Sequence, residues 1–121
     1  MRIKHKRLAG GYEVLETYVY YSKRYNRTIT VQKGFWCDGA TGALDMDTDA
    51  WIIHDWICDS KNGSDGKWDD GTLIDNWTAS TILGDVLWLD GYKVRAVIWW
   101  WATWLFGCKA CRKNGLRRVK V

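Results

Sequence analysis

An uncharged apolar run over residues 96–108 restricts the possible folds more than any other feature of this 121-residue chain. The run contains three consecutive Trp and covers 13 residues, whereas a helix needs about 20 to cross a bilayer. A helix over this segment would be apolar on nearly every side, so several neighbouring elements would have to cover it. We therefore predict that residues 96–106 form a mostly buried, Trp-rich central helix and that the chain has no transmembrane segment.

The remaining elements are predicted from local patterns. Residues 12–21 and 27–32 are rich in β-branched and aromatic side chains, which indicates two strands, and Asn26 suits the turn of an antiparallel hairpin between them. Asp49 is a suitable N-cap for a helix that continues to about residue 58. Helical spacing of apolar residues predicts another helix over residues 72–89. Because strands precede helices, we predict an α+β fold in which an N-terminal antiparallel hairpin or small sheet packs against about three helices.

The charges are distributed unevenly along the chain. Residues 34–92 contain twelve Asp and two Lys, whereas the remainder contains sixteen Lys or Arg and two Glu. We predict a single domain over residues 1–107, followed by a basic C-terminal tail over residues 108–121 that lies outside the compact domain and contacts another chain or an anionic surface. Basic and aromatic residues are segregated along the sequence, which argues against nucleic-acid binding.

The four cysteines are predicted to be thiols or metal ligands. The chain begins with basic residues that no apolar segment follows, so a secretory signal peptide is not expected. Disulfides are rare in proteins that are not secreted. Cys108 and Cys111 form a C-x-x-C pair, which would bind zinc only if the fold brought Cys37 and Cys58 beside them.

The residues best suited to chemistry are three carboxylates and one imidazole. Asp38 lies in a Gly-rich turn, His54 and Asp55 are adjacent on a predicted helix, and Asp75 begins the next helix. One imidazole with two or three carboxylates can bind a divalent metal ion or perform acid–base catalysis. We therefore predict catalytic roles for all four and a metal site formed by Asp38, His54 and Asp55. The alternative is that Asp38 and Asp55 cap turns and helix N-termini and that His54 belongs to the core.

Several of these residues also resemble a known family. The segments 34–41 (GFWCDGAT) and 54–56 (HDW), the helix that contains Asp75, and the closing segment 105–107 (LFG) resemble small phage and prophage proteins of the domain of unknown function 1353 family. The resemblance implies a bacteriophage origin and an α+β fold that gathers Asp38, His54 and Asp55. It also implies a location in the virion or in the host cytoplasm.

Two functions follow from the resemblance. The first is a virion-associated protein of the tail or lysis region, with a structural or host-contact role and with other phage structural proteins or a second copy of itself as partners. The second is a metal-dependent hydrolase of a cell-wall or related substrate. In that enzyme Asp38 and His54 would hold the ion, and Asp55 or Asp75 would be the base.

Overall fold

A computed structural model describes residues 3, 5–8, 11–37, 48–106 and 109–114. These residues form five strands and four helices, and the strands precede the helices as predicted. The fold is α+β, which confirms the predicted class. In chain order the elements are β1 His5–Leu8, β2 Gly11–Val14, β3 Tyr18–Ser22, β4 Arg27–Val31, β5 Trp36–Cys37, α1 Ala50–Cys58, α2 Asn76–Leu89, α3 Lys93–Phe106 and α4 Lys109–Arg112.

The strands form two small antiparallel sheets. Strands β3 and β4 are the predicted hairpin, in register from Tyr18 opposite Val31 to Ser22 opposite Arg27. Asn26 has a φ of 51° in the turn, as its sequence position predicted. The second sheet has the order β1-β2-β5, with β2 in the centre.

The prediction of one strand over residues 12–21 is wrong. The chain leaves β2 at Val14, passes through three exposed residues, and begins β3 in the other sheet at Tyr18. Val14 is itself buried, and its amide donates to the Phe35 carbonyl at 2.8 Å. The run of β-forming side chains does not reveal the break because both halves are strands.

Helices α1 and α2 form the centre of the domain. Most of α1 is buried, and α2 contributes Ile82, Leu83 and Leu87 to the same core. Asp49 occupies the predicted N-cap position of α1, but its side chain does not cap the helix. Its Oδ1 instead accepts a hydrogen bond from the Ile3 amide at 3.0 Å. This buried contact fixes the N-terminal segment to the start of α1.

The α2 helix begins later than predicted. It starts at Asn76 rather than near residue 72 because Asp75 has an extended backbone and supplies the N-cap, with Oδ1 accepting from the Thr78 amide at 2.7 Å. At the other end, α2 ends at the predicted residue, Leu89, and Gly91 has a φ of 94° in the turn that follows. The turn leads directly into α3, which packs against α2.

The prediction of a Trp-rich helix over residues 96–106 is confirmed by α3, but the prediction that this helix is mostly buried is wrong. Of residues 96–105, the part of this segment whose burial the structure describes, only Ala96 is buried, and five apolar side chains of α3 are exposed. Helix α3 packs against α2 along one side, so its other side has no cover within the described part of the chain. The apolar composition shows that the helix is apolar all round, but it does not show how many neighbours the helix has. None of the described helices has the length and hydrophobicity needed to cross a membrane.

The start of the basic tail belongs to the domain. Helix α4 contacts α1 and α2, and Ala110 and Cys111 are buried. The Asn114 side-chain amide donates to the carbonyls of Gly66 and Ile74 at 3.0 and 2.8 Å. The prediction that the chain leaves the compact domain at residue 109 is therefore wrong for residues 109–114, and residues 115–121 lie outside the described part.

Candidate functional site

His54 is a buried residue of α1. Its side chain is 7% exposed, and burial lowers the pKa of the imidazole to about 4. The Cys58 sulfur, one helical turn away, lies 3.7 Å from Nδ1 and 3.8 Å from Nε2. Nearly equal distances mean that neither ring nitrogen points directly at the sulfur. His54 is therefore a neutral, largely apolar-packed imidazole at neutral pH.

The predicted grouping of the acidic residues around His54 is only partly visible. Asp38 lies outside the described residues, so its distance from His54 stays a prediction. Asp55 is half-buried on α1, and adjacent helix positions point about 100° apart, so Asp55 and His54 face different directions. Within the described ranges, no cluster of three or more His, Cys, Asp or Glu side chains could hold a metal ion. The proposed metal site therefore depends on Asp38.

Asp75 performs a structural task at the start of α2. Its carboxylate accepts the Thr78 amide and satisfies one of the four amides that have no partner inside the helix. The nearby Cys111 thiol has a raised pKa, and the largest cause is its own burial. The negative charge of Asp75 raises this pKa further, and the charge of Asp65 adds to the effect. The sequence analysis predicted a catalytic role for Asp75 and gave capping as the alternative for Asp38 and Asp55, so the cap at Asp75 was not predicted.

The cysteines differ from the prediction. Cys58 forms a disulfide bond, so the prediction that all four are thiols or metal ligands is wrong at this position. A site of four thiolates that includes Cys58 is excluded with it. Two cysteines can be bridged only when the fold brings their Cβ atoms to about 4 Å, and sequence spacing does not show this proximity. Cys111 is a free, fully buried thiol whose pKa burial raises to about 12.

The exposed apolar side of α3 is the first of two unpredicted surface features. Its members recur at helical spacing, so they share one face of the helix. All of these apolar side chains are exposed. The segment over residues 96–105 contains no charged residue that would favour contact with water. We call this face the α3 stripe, and it consists of Val94, Val97, Ile98, Trp101 and Leu105.

The second feature is an open cleft of about 830 Å³ between α2, α3 and the loop of the β3–β4 hairpin. We call it the Trp cleft. None of the described site candidates, His54, Asp55 or Asp75, lines it. Four indoles and one ion pair give the cleft its character, and they are Trp77, Trp88, Trp100, Trp101, Arg24 and Asp85.

The indoles of the cleft are held by contacts with one another. Trp77 meets Trp100 edge-to-face with ring centroids 4.6 Å apart, and Trp100 meets Trp101 in the same way at 4.9 Å. The Trp100 indole N–H donates to Thr81 Oγ1 at 3.1 Å. Edge-to-face contacts favour fixed ring orientations. The cleft therefore has an ordered aromatic wall.

The ion pair of the cleft joins the hairpin loop to α2. Arg24 Nε and Nη2 donate to Asp85 Oδ2 and Oδ1 at 2.8 and 2.9 Å, which is a bidentate contact. The hydrogen bond to Asp85 raises the pKa of Arg24. The sequence analysis did not identify this pair because the two residues are 61 positions apart. The one available hint was Asp85, the single charged residue of α2.

Comparison with known proteins adds no further constraint. No protein-family model, no curated protein and no solved structure matches this chain significantly. The resemblance of residues 34–41 and 54–56 to phage proteins accordingly stays a prediction.

Proposed function

We propose that this protein is a small virion-associated protein of a bacteriophage tail or lysis region, with a structural or host-contact role, and that it associates through the α3 stripe. The phage origin is supported by the resemblance of residues 34–41 and 54–56 to prophage proteins. The associating role is supported by one observation, the exposed apolar face of α3.

The size of this surface favours an interface. Trp88 and Leu89, at the end of α2, are also exposed and extend the apolar surface beside the stripe. Together with the stripe they make seven exposed apolar side chains, and large exposed apolar patches mark interaction sites. Each partner in a stable interface contributes roughly 800 Å². An uncovered apolar surface of seven side chains favours association with another protein surface.

A second copy of the chain is the partner that we propose. In a two-fold dimer the same patch meets itself, so a suitable patch must not place like charges opposite each other. Residues 96–105 carry no charge, and an antiparallel pairing places the exposed Lys93 and Arg95 of one α3 away from the same residues of the other. An antiparallel pairing of two α3 helices also brings the N-terminal end of each helix dipole to the C-terminal end of the other.

Sedimentation equilibrium of the purified protein tests the pairing. We expect a dimer at about 50 μM and an Ile98→Lys variant that dissociates at least about tenfold more readily, because burying one unpaired charge costs more than the 1.4 kcal/mol of a tenfold change. Val19→Lys is the matched control, since Val19 is 56% exposed on β3 and Ile98 is 57% exposed on the stripe. A wild type that stays monomeric, or equal effects of the two variants, would refute the pairing.

The alternative is a metal-dependent hydrolase of a cell-wall or related substrate that uses Asp38, His54 and Asp55. One observation favours it: burial keeps the His54 imidazole neutral, the form that binds a metal ion. The position of the open cleft, away from His54, Asp55 and Asp75, favours the associating role instead. Metal analysis decides between them, because a metal-binding site requires one tightly held ion per chain that Asp38→Asn removes and Asp70→Asn, in an exposed loop, retains.

A further inference from the structure

The dimensions and the lining of the Trp cleft suit a small organic ligand. Its volume of about 830 Å³ falls within the roughly 300–1,000 Å³ of ligand sites. Trp88 and Trp101 expose nearly half of their surface although larger apolar residues are normally covered. The edge-to-face contacts of Trp100 with Trp77 and Trp101 fix the wall before any ligand arrives. A prearranged wall loses little entropy on binding.

The polar edge of the cleft carries both signs of charge at one place. The charges of Arg24 and Asp85 cancel each other. A cationic ligand here would be repelled by Arg24 and an anionic ligand by Asp85, so neither sign of charge is favoured. The bidentate contact uses two of the five guanidinium N–H groups and leaves acceptor positions on the carboxylate. Arg24 is well exposed, so its unused donors face solvent. A purely apolar ligand would cover this ion pair without replacing its water contacts, which is unfavourable.

We propose that the Trp cleft is a binding site for a neutral saccharide. A pyranose ring has apolar C–H faces that stack on indoles and a rim of hydroxyl groups that both donate and accept hydrogen bonds. The faces match the Trp wall, and the hydroxyl rim matches the donors and acceptors of Arg24 and Asp85, which lie side by side. Because the Arg24–Asp85 pair has no net charge, it favours an uncharged ligand over a charged one.

The saccharide site overlaps one edge of the α3 stripe but does not rest on dimer formation. At about 100° per residue, Val94, Ile98 and Leu105 point to one side of α3, whereas Ala96 and Trp100 point to the other and line the cleft. Val97 and Trp101 belong to the stripe and also line the cleft, as does Trp88 beside the stripe, so a dimer formed through the stripe would cover part of the cleft. Ile98→Lys therefore removes association while the cleft lining stays complete, and sugar binding can be measured in that variant as well.

Indole N–H resonances of nitrogen-15-labelled protein provide the test, with cellobiose, maltose and N,N′-diacetylchitobiose as probes. We expect saturable shifts for cleft tryptophans with at least one probe, at a Kd on the order of 1–10 mM. Trp88→Ala should weaken binding by about tenfold or more. Trp36→Ala is the matched control and should leave the Kd unchanged, because Trp36 is 48% exposed outside the cleft and Trp88 is 49% exposed within it.

Asp85→Asn gives a second, independent measurement. It keeps the shape of the side chain but leaves the Arg24 charge uncancelled, so neutral sugars should bind more weakly and glucuronate should bind more tightly than to wild type. The proposal is overturned if none of the three sugars gives a saturable shift up to about 50 mM. It is also overturned if Trp36→Ala weakens binding as much as Trp88→Ala, or if tetramethylammonium saturates the cleft and the sugars do not.

Discussion

The side-chain amide of Asn76 donates a hydrogen bond of 2.6 Å to the backbone carbonyl of Trp104, 28 residues later in the chain. Asn76 is the first residue of α2, and Trp104 lies in the last turn of α3. The contact therefore joins the beginning of one helix to the end of the next, as an antiparallel pair requires. It also satisfies one of the last four carbonyls of α3, which have no partner within the helix.

Asn76→Ala should lower the free energy of unfolding by about 1–3 kcal/mol, because the variant leaves a helix-terminal carbonyl without its donor. Urea unfolding followed by circular dichroism measures the change. Asn62→Ala is the control, since Asn62 lies exposed in a surface loop and its replacement should change stability by less than about 0.5 kcal/mol. Equal effects of the two variants would show that the Asn76 contact does not stabilise the helix pair.

The peripheral position of α3 leads to a second prediction. Leu83 of α2 is fully buried, whereas Leu105 of α3 is 52% exposed. Leu83→Ala should cost about 2–5 kcal/mol of unfolding free energy, since it removes buried contacts and leaves a cavity. Leu105→Ala, measured where the protein is monomeric, should cost less than about 0.5 kcal/mol. Comparable losses in the two variants would mean that α3 is a central helix after all.

Cys111 provides a third prediction, on chemical reactivity. Its thiol is fully buried and its pKa is raised to about 12, so at pH 8 only about one part in ten thousand is thiolate, the form that reacts. Iodoacetamide should leave residue 111 unmodified in the native protein and modify it fully in guanidinium chloride, as peptide mass mapping would show. Rapid modification of the native protein at this position would place Cys111 at the surface.

The elements predicted correctly are those whose signals are local. The β3–β4 hairpin follows from two short β-forming runs and from Asn26, whose side chain tolerates a positive φ. The limits of α1 were predicted from Asp49, which occupies the N-cap position although its side chain bonds to Ile3, and from the apolar spacing that follows. In both cases residues close in sequence determine the structure, so no knowledge of distant neighbours is needed.

The elements predicted incorrectly depend on distant neighbours. Strand β1 has no apolar alternation in HKRL, and its backbone pairing with β2 alone makes it a strand. The exposure of α3 depends on how many elements surround it, which the composition of the helix does not encode. Cys111 is buried although charged residues surround it in sequence, because α4 contacts α1 and α2.

The candidate sites show the same division. Asp75 was predicted as a catalytic residue near the beginning of a helix, and the structure shows it as the N-cap of α2. Arg24 and Asp85 were not paired in advance, because a contact across 61 positions between a hairpin loop and a helix leaves no spacing pattern. The Trp cleft required both this pairing and the packing of α3 on α2, so the aromatic content of the sequence alone did not locate it.

The last prediction concerns the effect of pH on stability through His54. In the unfolded chain this imidazole has its ordinary pKa of 6.5, whereas burial lowers the pKa to about 4 in the folded protein. Above pH 6.5 the imidazole is neutral in both the folded and the unfolded state, so His54 does not lower the free energy of unfolding. As the pH falls from about 6.5 to about 4, only the unfolded state takes up the proton, so the folded state loses up to about 3 kcal/mol of stability through this one group. Below pH 4 both states are protonated and the loss of stability stops growing.

Urea unfolding of wild type and His54→Gln in the presence of EDTA, between pH 8 and pH 4, isolates the effect, since titration of the other groups is common to both proteins. The difference between the two unfolding free energies should change with pH over that window, and a constant difference would show that His54 is not a buried neutral imidazole.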